Sequence, residues 1–83
     1  MPAGPLADFL FTLRIRTGLS QKEFGAQIGY GQNSISNIET GRQGVSASVL
    51  SLWLDACGAT PEQRIHALTL ARPAPSGDSA GTL

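Results

Sequence analysis

Eighty-three residues limit the chain to one small domain, because two would each be too small to bury a core of their own. Six Lys and Arg balance six Asp and Glu, so no overall field draws in nucleic acid or anionic lipid, and any attraction to a polyanion must be local. One Cys excludes an intrachain disulfide, no run of ~18 apolar residues is present to span a bilayer, and the start Met-Pro-Ala-Gly-Pro lacks the basic and apolar regions of a signal peptide. The expectation is a cytoplasmic chain, away from membranes, that relies on apolar packing.

Residues 1–4 and 73–83 are rich in Pro, Gly, Ser and Ala and nearly free of large apolar side chains, which predicts flexible ends around a folded unit at about 5–72. Within that unit Val and Ile are sparse, and the punctuation predicts five short helices in an all-α fold. The first follows Pro5, sets Leu6, Phe9, Leu10, Leu13 and Arg14 on one stripe, and stops at Gly18. The second opens on Ser20-Gln21-Lys22-Glu23, a capping box, places Phe24 and Ile28 on one face, and stops at Gly29. The third runs over about 32–39 with Gly31 as its N-cap. The fourth spans about 47–57 and ends at Gly58; the fifth begins with a second capping box, Thr60-Pro61-Glu62-Gln63, and ends near Arg72-Pro73.

Catalytic chemistry finds little to work with. Cys57 and His66 are the one tempting pair, but a Cys/His couple needs a third orienting group and a cleft, and Cys57 falls at a helix C-terminus, where the dipole disfavours a thiolate. One Cys and one His provide two of the four ligands zinc requires, so no metal site and no cofactor are expected. Gly29-Tyr30-Gly31 begins like a dinucleotide loop, yet the third glycine and the preceding strand are missing, and it reads as a turn. The chain is not expected to be an enzyme.

The third predicted helix is the informative one. Its only large apolar residues are Ile35 and Ile38, and the rest of its surface is Gln32, Asn33, Ser34, Ser36 and Asn37. These are amides and hydroxyls where a merely solvated face would carry Lys and Glu. Gln or Asn pairs bidentately with adenine N6 and N7, and Ser serves several base edges. The second helix, the link at 29–32 and the third helix have the spacing of a helix-turn-helix, whose second helix enters a major groove N-terminal end first. Leu19, Phe24, Ile28, Ile35 and Ile38 form the apolar wedge between them. Gly25, which costs a helix ~1 kcal/mol relative to Ala, is intelligible if the third helix crosses close by.

From Leu13 to Cys57 the chain resembles the phage repressor and Cro type of helix-turn-helix, often called XRE-like. The resemblance is carried by Leu-Arg-Ile-Arg-Thr-Gly-Leu-Ser-Gln, Phe24, Ile28-Gly29 and Ser34-Ile-Ser-Asn-Ile-Glu-Thr-Gly-Arg42. The stretch from Leu54 to Leu70 further resembles regulators common in high-GC actinobacteria, in which such a module often precedes a larger C-terminal domain. The resemblance implies that Gln32, Asn33, Ser36 and Asn37 face base edges and that Gln21 holds a phosphate, helped by backbone amides at its helix N-terminus. It implies that Thr40 and Arg42 touch the sugar-phosphate strand, and that Arg14 and Glu39 form an internal ion pair tying the first helix to the third. The chain departs from the family pattern at Gly25, where Ala is usual, at Gln43-Gly44, which replaces a basic or Pro-containing loop, and in lacking a positive excess.

Arg14, Arg16, Lys22 and Arg42 lie in or near the helix-turn-helix; with Arg14 paired internally, Arg16, Lys22 and Arg42 remain for phosphates. Binding by one copy should therefore be weak, and the expected partner is double-stranded DNA read as a pseudopalindromic operator by a homodimer, with half-sites roughly 34 Å apart. Val49, Leu50, Leu52, Trp53, Leu54, Ala56 and Cys57 ring the fourth helix, more than one core-facing stripe absorbs. The first and fifth helices cover part of it, and Val49, Trp53 and Leu68 are candidates for a dimer or partner surface. The alternative is a protein-interaction module, antitoxin-like or a co-regulator, that docks a protein partner through its fourth and fifth helices.

Overall fold

Local chemistry at the helix ends sets the path of the chain. In the computed structural model, which describes residues 4–71, five helices appear: α1 (Pro5–Thr17), α2 (Gln21–Ile28), α3 (Gln32–Glu39), α4 (Ala47–Ala56) and α5 (Pro61–Ala71). No strand occurs among the described residues. The flexible ends expected at 1–4 and 73–83, and the expected end of the fifth helix at Arg72-Pro73, fall outside the described residues except for Gly4.

Pro5 fills the first turn of α1, where its missing N–H costs nothing, and Gly18 at φ 78° ends it by donating its N–H to Ile15 O. Ser20 Oγ accepts from Glu23 N at 3.1 Å while the Glu23 carboxylate accepts from Ser20 N at 2.9 Å, so the box at the start of α2 is complete. Those hydrogen bonds, the backbone one foremost, hold the Glu23 carboxyl below its usual value. Its capping contribution is therefore present above the ordinary carboxylate range and lost as pH falls. The same reciprocal pattern joins Thr60 and Gln63 at the start of α5. A further cap, Ser46 Oγ accepting from Val49 N, starts α4.

The core lies where α1, α2, α3 and α4 meet, around the fully buried Leu10, Phe24, Ile35 and Trp53. Trp53 has no exposed surface: its ring lies 4.8 Å from that of Phe24, centroid to centroid, and its indole N–H donates to Leu10 O at 3.1 Å. Val49 is buried as well. Two of the three residues expected to form a dimer or partner surface, Val49 and Trp53, are thus core residues, and only Leu68 is exposed. The reason is the arrangement of the helices. Besides the contacts α1 and α5 make with α4, α2 packs against α4 and brings Phe24 onto Trp53, while α5 also packs against α1.

Gly25 lies at the tightest approach in the helix-turn-helix. Tyr30 N donates to Gly25 O at 2.8 Å, so the turn folds back directly on α2. A Cβ at position 25 would stand 2.4 Å from Tyr30 O and 3.2 Å from Ile35 Cγ1. The obstacle is first the backbone of the turn and second the crossing helix. Although Ala is the better helix former by ~1 kcal/mol, Gly25→Ala is expected to lower stability by about 1–3 kcal/mol through overpacking against backbone that cannot rotate away. Urea denaturation followed by far-UV circular dichroism measures this; an unchanged or higher midpoint would show that the turn has room.

Candidate nucleic-acid interface

Arg14 and Glu39 are the two buried charged residues among those described, each 6% exposed. Arg14 Nε donates to Glu39 Oε2 at 2.5 Å and Nη2 to Oε1 at 3.0 Å, a two-pronged ion pair joining α1 to the last residue of α3. The third arm, Nη1, donates to Leu19 O at 2.9 Å and holds the link before α2. Thr17 braces that link by donating to Arg14 O and accepting from Leu19 N. Gln21, the first residue of α2, donates its side-chain N–H to Glu39 Oε1 at 3.0 Å. No buried side-chain nitrogen or oxygen among the described residues lacks a hydrogen-bond partner.

This network fixes what α3 turns outward. Ile35, Ile38 and Glu39 face inward, Gln32 and Asn33 are exposed, and Ser36 and Asn37 are half-buried. Gly31 provides no side-chain cap, so the N-terminal end of α3 carries two amide side chains beside amides of the first turn that no side chain covers. At the other end, the loop after α3 winds back on the helix through Gly41 at φ 77°. Asn37 O accepts from both Arg42 N and Gln43 N, at 2.9 and 3.1 Å, so the exposed Arg42 side chain springs from a segment anchored to α3 itself.

The residues expected to touch phosphate differ in their freedom to do so. Lys22 and Arg42 are exposed. Thr40 is exposed too, but its hydroxyl donates to Ser36 O at 2.8 Å and would have to give that up to donate to a phosphate oxygen. Gln21 is half-buried with one amide hydrogen on Glu39. That bond, between residues 18 apart, had no signal in spacing or periodicity; it arises only once α2 and α3 are packed.

Outside this face, Cys57 is half-buried and its thiol is pushed up to about 11 chiefly by burial, with Arg14 opposing and Glu39 adding to the shift. His66 is exposed and packs edge-on against Phe9, centroids 4.8 Å apart. No cluster of three or more metal-ligating side chains is assembled among the described residues, and no helix there is long and apolar enough to cross a membrane. Leu68 and Ile65 stand 58% and 65% exposed on α5, beside a shallow apolar groove lined by Ala47, Leu50, Leu54 and Leu68, with Arg64 bonded to Asp55 at 2.8 Å.

Two outcomes follow from burial. Glu39→Ala strands a buried guanidinium and should cost about 3–5 kcal/mol in urea denaturation; a loss under about 1 kcal/mol, the range of exposed pairs, would mean that the pair is solvated. Cys57, with its thiol held protonated, should be alkylated by iodoacetamide at pH 8 more slowly in the native protein than in urea, whereas equal rates would contradict the raised value.

A family model described as Helix-turn-helix domain matches residues 5–67, which takes in α1 to α4 and the first part of α5. No curated protein and no solved structure matches the chain. The matched span contains α2, the tight turn at 29–31 that Gly25 accommodates, and α3 with its core held by Ile35 and Ile38. By that match over most of its length, the chain belongs to the family of helix-turn-helix domains.

Proposed function

We propose that the protein is a sequence-specific DNA-binding transcription regulator of the phage repressor type, which reads an operator through the major groove with α3. The observation that carries this reading is the exposed pair of amides, Gln32 and Asn33, at an end of α3 that contributes nothing to the core. Amide side chains on a helix end narrow enough to enter a groove discriminate adenine by bidentate hydrogen bonds. Asn37 and Ser36, one turn further along, reach the flanking base pairs. Lys22 and Arg42, at opposite ends of the helix-turn-helix, grip the phosphates on either side, and the α2 N-terminal amides other than the one Ser20 caps add to that grip. Such a regulator works in the cytoplasm and needs no cofactor.

With net charge zero and few free cations on this face, one copy binds weakly. A homodimer on a pseudopalindrome compensates, with α5 as its contact: Leu68 and Ile65 are the large apolar residues left exposed there, and the groove along Leu50 and Leu54 is the adjoining concave surface. The same exposed pair favours a second reading, in which α4 and α5 dock another protein. Light scattering with and without duplex separates the two, since the first requires two chains per operator.

Selection of duplexes from a random library followed by fluorescence titration at several salt concentrations tests the function. Asn33→Ala or Asn37→Ala should weaken binding to the selected site by about 1–3 kcal/mol and relax its sequence preference. Arg42→Ala should weaken every duplex alike and lower the log–log salt slope by about 0.9 per chain. Failure to select any sequence at low salt, or an Asn33 variant that binds unchanged, would overturn the proposal.

A further inference from the structure

Glu39 accepts three hydrogen bonds at its two buried oxygens, and only two come from Arg14; the third comes from Gln21. The carboxylate therefore touches α1, α2 and α3 at once. Its connection to α2 is made at the first residue of that helix, next to Lys22 and to the amides at the α2 N-terminus. Its own place is the last residue of α3, directly before the loop that carries Arg42. Apolar contacts between α2 and α3 centre on Phe24, Ile28, Ile35 and Ile38, and they resist separation of the helices better than sliding, because packing is weakly directional. A hydrogen bond between an amide and a carboxylate is directional and of the stronger, charge-assisted kind.

We infer that Gln21 is a positioning residue: its bond to Glu39 sets the register of the α2 N-terminus against α3, and so the offset between the phosphate-gripping end and the base-reading end. This rests on the DNA-binding reading given above. It assigns Gln21 a role distinct from a simple phosphate contact. A phosphate contact adds the same increment to every duplex, whereas a register lock chiefly favours the sequence whose bases α3 meets when the phosphates are seated. The buried carboxylate, already satisfied by the guanidinium, remains paired when Gln21 is lost, so the fold survives the loss of the lock.

Gln21→Met keeps the length of the side chain and removes its donor. In the full chain, at a temperature where all proteins are folded by circular dichroism, the probes are the tightest duplex recovered from the random library and an unrelated duplex of equal length. Gln21→Met should reduce the ratio of the two affinities about tenfold, a factor equivalent to ~1.4 kcal/mol, mostly through the selected duplex. Urea denaturation of Gln21→Met, Glu39→Gln and the double variant should be non-additive, as residues sharing a hydrogen bond are. Equal weakening of both duplexes, or strict additivity, overturns this inference and leaves the DNA-binding reading standing. If the unsubstituted protein recovers no duplex at all, both fall together.

Discussion

A guanidinium and a carboxylate removed from water form the constraint on which the rest of this small domain depends. Taking Arg14 and Glu39 out of solvent costs several kcal/mol per ion unless each is paired and hydrogen-bonded throughout. Their neighbours are arranged to meet that condition, with Leu19 O on the free guanidinium arm and Gln21 on the carboxylate. Small domains are stable by only ~5–15 kcal/mol, so a network of this kind leaves few alternative placements for the elements it joins. It joins α1, the link before α2, the start of α2 and the end of α3. With Glu39 fixed inward and Ile35 and Ile38 in the core, the helical period turns Asn33 outward, while Gln32, on the side of Ile35 and Glu39, is exposed because it stands at the first position of α3, beyond the core.

Rigidity on this face comes from polar contacts, and the apolar core serves mainly as its platform. Gly25 lets the turn fold back on α2 at 2.8 Å, and Asn37 O binds the loop of Arg42 to α3. The residues proposed to read bases and those proposed to hold phosphates are thereby parts of one stiff unit. That suits recognition of a duplex, whose groove and backbone stand at a fixed offset. A chain without net charge has little long-range attraction to exploit, and depends correspondingly on fit.

Much of the fold was legible in the sequence because helix ends are encoded locally. Ser20 with Glu23, Thr60 with Gln63, and Gly18 and Gly29 as left-handed stops each need only neighbours within a few residues, and each lies where the pattern put it. The helix-turn-helix followed from the same punctuation. What the pattern could not reveal was which helix lies on which. The apolar ring of α4 suggested surface left over for a partner around Val49 and Trp53, but the packing of α2 on α4 consumes it. The Gln21–Glu39 bond was hidden for the same reason, as were the internal commitments of Thr40, whose hydroxyl turns back onto its own helix. Chemistry-bearing residues could be picked out by type, but whether their donors were free depended on tertiary contacts.

The central claim is that the amide-bearing end of α3 meets the bases. Nuclear magnetic resonance of the isotopically labelled protein tests it most directly, by following the side-chain amide groups of Gln32, Asn33 and Asn37 as a selected duplex is added. The account predicts that these three show the largest changes in shift and that the Arg14 guanidinium resonances stay where they are. Unmoved amides, with the changes gathered on α4 and α5, would contradict it.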